Sequence, residues 1–587
     1  MEELESALAD SNLKSSPGCD NIAMSMLFNL PFAAKSYLLA LYNYYWELGQ
    51  IPSSWKHALV KPIPKHNSNL NNPEAYRPIA VTSAYSKLLE RMVSSRLSWY
   101  LEAYKLINPI QAGFRKNHST LDHPMRLKTD IENSFSAQGI TVGVFLDFSR
   151  AFDLVWIDGL LMKLLKLNIN GRCLSYIRSF LSDRTAEVVL KGVHSYKFWL
   201  DNGTPQGCVL SPLLFLIFIN DFPKLSLATR SALFADDSGI WRSGLNINHI
   251  IHHLQQDLIV IENWCKEWGF VINAKKTQGV IFTRKKNISA KLFVKGEAIT
   301  FAKTAVFLGF VFDAHLTWAP HIDQIVQRCN KRINLLRCLC HNKWGARRDV
   351  LLMVYRALIR SIIDYGAVLY QSASSSLLKK LNTIQCTSLS LCVGAMKGTA
   401  LSSLLRECNE LPLPHRARTL TDKYLLKVHA LSNHAAQSIM QPMVMPELIK
   451  KFPSRLQRQV SSLLSDYGIA RIDGLTVSLT PPWVQAFVKV DSSLSNFIAS
   501  AAKSSSTLVS KYVTNYIRSA YPSCTPIHTD SSVFEDKVGV AVHIPSHEIS
   551  IAYRSSNKFS SFSAELEAIF TAISLVIKRK LYRNQSV

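Results

Sequence analysis

The chain has no hydrophobic run long enough to cross a bilayer. Its longest, Val209 to Ile219, is interrupted by Pro212, so no transmembrane helix is expected. No secretory signal opens the chain, and its eleven cysteines form no regular framework. A reducing, intracellular setting is therefore expected, rather than a disulfide-stapled secreted fold. Zinc-finger spacing is missing too, because Cys329, Cys338, Cys340 and His341 lie in helical sequence and fit no standard finger. Acid is short relative to base: 42 Asp and Glu stand against 67 Lys and Arg, a formal charge of +25. A surface so basic marks a polyanion partner, nucleic acid before an anionic membrane. What is present in quantity is apolar side chain, 48% of 587 residues, enough for three or four domains with separate cores.

Against that shortage of acid, Leu233-Phe234-Ala235-Asp236-Asp237-Ser238-Gly239 concentrates it. An apolar run ends in two adjacent carboxylates and re-enters an apolar strand at Ile240-Trp241, which reads as a tight β-hairpin with acid at its tip. A solvated turn would look the same, since Asp is common in turns. A third carboxylate upstream changes the balance. Val142-Gly143-Val144-Phe145-Leu146 reads as a strand buried on both faces, and it delivers Asp147 at its C-terminal end. If the two strands lie side by side, Asp147, Asp236 and Asp237 share one sheet edge. Three carboxylates so placed can hold two Mg²⁺ ions about 3.5–4 Å apart, the device for in-line phosphoryl transfer.

Three motifs then carry a resemblance. Phe234-Ala235-Asp236-Asp237, the block from Asp147 to Val155, and Asn202-Gly203-Thr204-Pro205-Gln206-Gly207-Cys208-Val209-Leu210-Ser211-Pro212 occur in order. The chain resembles the reverse transcriptase of a non-LTR (LINE-type, Jockey-like) retrotransposon over most of its length. The resemblance implies an α+β, right-hand polymerase of fingers, palm and helical thumb, followed by a helical connection and a partial ribonuclease H-like α/β segment. The corresponding divisions are an N-terminal extension and start of the fingers at 1–45, fingers and palm at 46–312, thumb at 313–400, connection at 401–520 and the ribonuclease H-like segment at 521–587. The endonuclease that usually precedes such a polymerase is not found in this sequence.

Site residues follow from the same resemblance. Asp147 and Asp236 would hold two Mg²⁺ ions, Mn²⁺ being a substitute, and Asp237 would assist. Lys65 and Arg77, in Lys61-Pro62-Ile63-Pro64-Lys65 and Tyr76-Arg77-Pro78-Ile79, would meet the incoming triphosphate, Arg as a bidentate fork and Lys as a point charge. Arg115, in Gln111-Ala112-Gly113-Phe114-Arg115, is a third phosphate or template candidate. Phe152 would lie under the sugar and select deoxynucleotides, with a packed core ring as the alternative. Asp153 reads as a structural hydrogen-bonding group. Gln206 would offer its amide to nucleotide or template, Gly207 would allow close backbone approach, and Lys276 would assist the pyrophosphate leaving group. In the thumb, Arg328, Lys331, Arg332, Arg337, Lys343, Arg347 and Arg348 would track a duplex backbone.

The tail from Thr525 resembles the opening of a ribonuclease H domain, with Asp530 and Glu565 as two of its metal ligands. The next aspartate-bearing strand is not in the sequence, so no ribonuclease H activity is expected. The partners implied are template RNA, primer DNA and deoxynucleoside triphosphates, with residence in nucleus and cytoplasm. Two other readings stay open: a group II intron-like or telomerase-like polymerase, and a decayed or domesticated copy that only binds RNA.

Overall fold

The computed structural model describes residues 1–65, 71–340, 344–396, 398–431, 434–436, 462, 465, 481, 483, 506–520, 525–534, 537–555 and 560–578. His341, Lys343 and much of the 401–520 connection fall outside them. The chain divides into two compact units, Met1–Gln485 and Ala486–Val587, each of mixed helix and sheet.

Two sheets organise the first unit. Strands β1 (His57–Pro64), β2 (Tyr76–Val81), β4 (Arg184–Leu190), β5 (Val193–His194) and β6 (Phe198–Leu200) form one, in the order β2-β1-β4-β5 with β6 also on β4. The other contains β3 (Ile140–Leu146), β7 (Thr229–Phe234), β8 (Asp237–Gly244) and β9 (Gln278–Phe282), with the short strand Thr300–Phe301 at one edge and β7 at the other. In this second sheet β3 is central, antiparallel to both β8 and β9.

Every residue of β3 is buried, and the reason is that the sheet carries a core on each side. Side chains alternate along a strand. Val142, Val144 and Leu146 accordingly join one core with α4 (Ser211–Phe218) and α5 (Ile247–Trp268), whereas Phe145 joins the other with α2 (Asp122–Ser136). Phe145 also packs on Phe307, ring centroids 4.9 Å apart. At about 1.5–3 kcal/mol for each fully buried large apolar side chain, this double burial makes the strand the fixed reference for whatever lies at its end.

Polar groups are buried where they tie elements together. Glu90 of α1 (Ala84–Ala103) is fully buried; its carboxylate accepts from the backbone N–H of Val209 at 2.8 Å and of Leu210 at 3.3 Å, just ahead of α4. A carboxylate there also complements the positive end of the helix. Lys163, in α3 (Ile157–Lys166), places its ammonium 3.5 Å from the ring centre of Trp268 and 2.6 Å from Asp221. Burial pushes this lysine down to about 8 despite the Asp221 partner.

Beyond the sheets, α6 (Ala319–Leu339) begins a helical region that runs through Ser375–Val393 to α7 (Leu413–Ala430). Arg328, Lys331, Arg332 and Arg337 of α6 are exposed, while Ile322, Ile325, Cys329, Ile333 and Leu336 are buried. Buried Asp122 accepts hydrogen bonds from Ser119 (2.8 and 2.9 Å) and from the Tyr424 hydroxyl of α7 (3.2 Å), and lies 3.3 Å from His434. One residue along, His123 donates from Nε2 to the Leu233 carbonyl at 2.9 Å and accepts from Arg126 at Nδ1. Burial and the Arg126 charge lower this imidazole to about 3 and keep it neutral. The start of α2 is thus bonded both to α7 and to the edge strand β7.

In the second unit, antiparallel strands His528–Phe534, Lys537–Ile544 and Ile549–Arg554 carry the helix Ser561–Lys578 on one face.

Candidate active site

β7 and β8 are joined by two residues, Ala235 and Asp236, with Phe234 opposite Asp237. The register of β3 on β8 ends with Leu146 opposite Ser238. Asp147, the next residue, therefore lies beside the hairpin tip that bears Asp236 and Asp237, across a strand spacing of about 4.8 Å. The electrostatics carry the mark of that meeting. Partial burial and the neighbouring charges of Asp236 and Asp147 push the Asp237 carboxyl up to about 6. Asp236 is raised as well, by partial burial and by Asp147, and Arg77 draws it part of the way back. Arg77, exposed on β2, is thus near enough for its charge to act on the hairpin.

Around this edge the backbone is tied down. Asn273 donates its N–H to the Asp147 carbonyl at 2.8 Å, Ser149 donates to Val271 at 2.8 Å, and Phe148 bridges Ile272. The turn after Asn273 brings the Lys276 ammonium to 3.9 Å from the Asp147 carboxylate, with the lysine largely in solvent. Phe152 is half-buried, stacked on Phe215 at 4.3 Å and edge-on to Phe114 at 6.4 Å.

The glycine loop packs on β2 and on the segment that follows β3. Gln206 donates its amide to Asp153 at 3.0 Å, and its carbonyl accepts from Ala80 N–H at 2.6 Å. Gly207 is at φ 115°, and a Cβ there would stand 2.5 Å from the Ala80 carbonyl oxygen, so the position admits glycine alone. Lys65 donates to the Glu74 carbonyl at 2.8 Å at the far end of β1.

Arg115 departs from expectation. Its guanidinium makes a bidentate pair with Glu102, both bonds 2.7 Å, and donates to the Gln111 carbonyl at 2.9 Å, with only 7% of the side chain exposed. Its donors are engaged inside the protein, and the role of phosphate or template contact gives way to a structural one. Asp530 lies on the first strand of the second unit and Glu565 on its helix; no hydrogen bond or ion pair joins them among the described residues. Sequence reading also missed Gln111, whose side-chain oxygen accepts from the N–H of Ala235, and buried Glu90 behind α4. A lone Gln in a loop and a lone Glu in a helix carry no signal of burial.

Among the described residues no three His, Cys, Asp or Glu side chains already converge as a preformed metal cage. The chemistry of the donors at the hairpin nevertheless fits a hard dication. They are oxygen-only, and their mutual repulsion, seen in the raised carboxyls, is what such an ion relieves. Mg²⁺ keeps waters and substrate phosphates in its shell, so Asp147 and Asp236 could hold it without a third protein ligand.

A central antiparallel strand ending in one aspartate, beside a hairpin tipped with two more, is an arrangement suited to two-metal phosphoryl-transfer chemistry. Comparison with known proteins agrees: residues 63–312 match the family model described as reverse transcriptase (RNA-dependent DNA polymerase). That match places the likeness on the segment that holds the second sheet and most of the first, and the relatives of the chain include RNA-directed DNA polymerases of transposons and mobile elements. The chain is 32% identical over 398 residues to the probable RNA-directed DNA polymerase from transposon BS of Drosophila melanogaster, covering 66% of this chain and 43% of that one. It is 26% identical over 446 residues to the RNA-directed DNA polymerase from mobile element jockey of the same species, covering 75% and 49%. The chain thus spans less than half the length of these relatives. A solved telomerase of Candida tropicalis, in complex with a telomeric RNA fragment, overlaps at a TM-score of 0.36 and 13% identity, covering 74% of this chain and 68% of that one. That overlap is too slight to argue from.

Proposed function

We propose that the chain is an RNA-directed DNA polymerase of a non-LTR retrotransposon, extending a DNA primer on an RNA template. The observation that supports this reading most is the strand register that sets Asp147, at the end of β3, beside the β7–β8 hairpin bearing Asp236 and Asp237, within the residues matched by the reverse transcriptase family model. The reaction joins the primer 3′-hydroxyl to the α-phosphate of a deoxynucleoside triphosphate and expels pyrophosphate.

Asp147 and Asp236 would hold Mg²⁺, which supplies charge neutralisation at the phosphates and acidity at the attacking hydroxyl. The remaining work belongs to other side chains. Arg77 and Lys65 bind the triphosphate, and Arg77 is the better placed because its charge already acts on the hairpin. Lys276 stabilises the leaving pyrophosphate from beside Asp147. Phe152, stacked on Phe215, excludes a 2′-hydroxyl. Gln206 and Gly207 shape the floor against β2. The exposed arginines and lysine of α6 follow the template–primer duplex, in keeping with a net charge of +25.

The helical region at 313–400 is read as the thumb, and residues 521–587, within the second unit, as a truncated ribonuclease H-like segment containing Asp530 and Glu565. Residence in nucleus and cytoplasm belongs to the same reading; no helix among the described residues is long and apolar enough to cross a membrane. The test is primer extension on poly(rA)/oligo(dT) with Mg²⁺. Extension by the chain and its loss in Asp236→Ala are expected. Failure of the unsubstituted, folded chain to extend, with RNA binding retained, would instead favour a silent RNA-binding copy.

A further inference from the structure

Asp236 sits in a turn of two residues whose first, Ala235, has φ 55°, a left-handed backbone that a residue with a Cβ adopts only when its surroundings hold it there. The holding group is Gln111. Its side-chain oxygen accepts from the N–H of Ala235 at 3.0 Å and from the N–H of Gly113 at 2.8 Å. Around it the chain from Ile110 to Gly113 lies along the free edge of β7. Leu233 donates to the Ile110 carbonyl at 3.1 Å, and Ala112 donates to the Leu233 carbonyl at 2.9 Å. The contact is close: a Cβ on Gly113 would stand 2.4 Å from the Ala235 nitrogen.

Two features show that the oxygen is what the site uses. Gln111 is 1% exposed, so both N–H groups would be left without a partner if its oxygen were removed. Its own amide nitrogen is buried and has no hydrogen-bond partner among the described residues. A buried orphan donor is a cost, and the fold tolerates it at this position beside the carboxylates. The need is plain from the charges: Asp147, Asp236 and Asp237 repel, and a turn free to relax would carry Asp236 away from Asp147.

We infer that Gln111 is a positioning residue, whose side-chain carbonyl pins Ala235 in the left-handed conformation and so fixes Asp236 against Asp147. This rests on the polymerase reading above, and the experiment separates the two. Gln111→Met keeps length and volume but removes the acceptor; Gln111→Glu keeps an acceptor; Ala235→Gly removes the Cβ that makes the left-handed turn costly. Each is made in the full chain and measured for kcat and KM for dTTP on poly(rA)/oligo(dT), and for amide hydrogen exchange in peptides spanning 232–240.

Expected for Gln111→Met is a kcat lowered about tenfold or more, KM within about twofold, and faster exchange confined to the hairpin. Gln111→Glu, whose carboxyl is held protonated by burial and the neighbouring carboxylates with its carbonyl still able to accept, should lose clearly less kcat than Gln111→Met, and Ala235→Gly should restore kcat about threefold or more in the Met background. An unchanged kcat in Gln111→Met, an equal loss in Gln111→Glu, or no recovery with Ala235→Gly overturns the inference. If Gln111→Met does not fold, Gln111→Asn, which withdraws the carbonyl by one carbon, replaces it with the same expectations. If the unsubstituted chain extends no primer, the polymerase reading alone fails. Hydrogen exchange then decides for Gln111, acceleration by Met but not Glu supporting the inference and equal exchange overturning it.

Discussion

Replacing Asp237 by Asn should make the metal-free protein more stable, because the carboxylate is held where its charge is unwelcome. Its folded pKa of about 6 lies above the ordinary value of about 3.9. The folded chain therefore binds the proton more tightly than the unfolded one, and stability falls as pH rises from about 4 to about 6. Above that window the penalty is complete. A rise of this size corresponds to about 3 kcal/mol if fully expressed, but Asp237 is exposed at the hairpin tip. Solvent and salt screen it, leaving about 1 kcal/mol. In a unit this large that is a rise in Tm of about 1–2 °C. Scanning calorimetry with a chelator at about pH 8 should show it, and near pH 5, where the folded carboxyl is mostly protonated, about half should remain. Added Mg²⁺ should stabilise the unsubstituted chain more than the variant, since it relieves the same repulsion. An Asn variant that melts at or below the original at about pH 8, or a pH-independent difference between the two, would show that the three carboxylates do not crowd one another as described.

Arg115→Ala should cost about 3 kcal/mol in urea unfolding, because it strands Glu102 of a largely buried bidentate pair; normal stability with a raised KM for nucleotide would restore the template-contact role. Gly207→Ala should yield little folded protein, its Cβ falling 2.5 Å from the Ala80 oxygen at φ 115°, whereas wild-type recovery on gel filtration would contradict the packing. Lys163, pushed down to about 8, releases its proton earlier in the folded than in the unfolded chain. Its buried charge is thus a cost at neutral pH that fades as pH rises from about 8 to about 10.5. Between about pH 7.5 and 9.5 the unsubstituted chain should gain about 1–2 kcal/mol over Lys163→Met, and parallel urea midpoints would refute that cost. Phe152→Val should raise ribonucleotide incorporation relative to deoxynucleotide about tenfold or more; an unchanged ratio would leave Phe152 a packing residue on Phe215.

Residue order by itself determined the elements that can be read locally. The uninterrupted apolar run 142–146 had to be buried on both sides, and the hairpin at Ala235-Asp236 followed from apolar strands flanking small and acidic residues. The motifs from Asp147 to Val155, Gly203 to Pro212 and Phe234 to Asp237 were legible because their chemistry is carried by neighbouring residues. Partnership over distance was not legible. Arg115 reads as a phosphate or template contact until folding supplies Glu102, and nothing local marks Gln111 or Glu90 for burial before distant segments enclose them. Only tertiary structure set β3 beside β8, brought Asp147 to a hairpin far later in the chain, and put Asn273 behind it. The physical reason is the same in each case. A side chain's charge and hydrogen-bonding groups are fixed by its chemistry, but whether they meet water, an opposite charge or a backbone N–H depends on which distant segment packs against them.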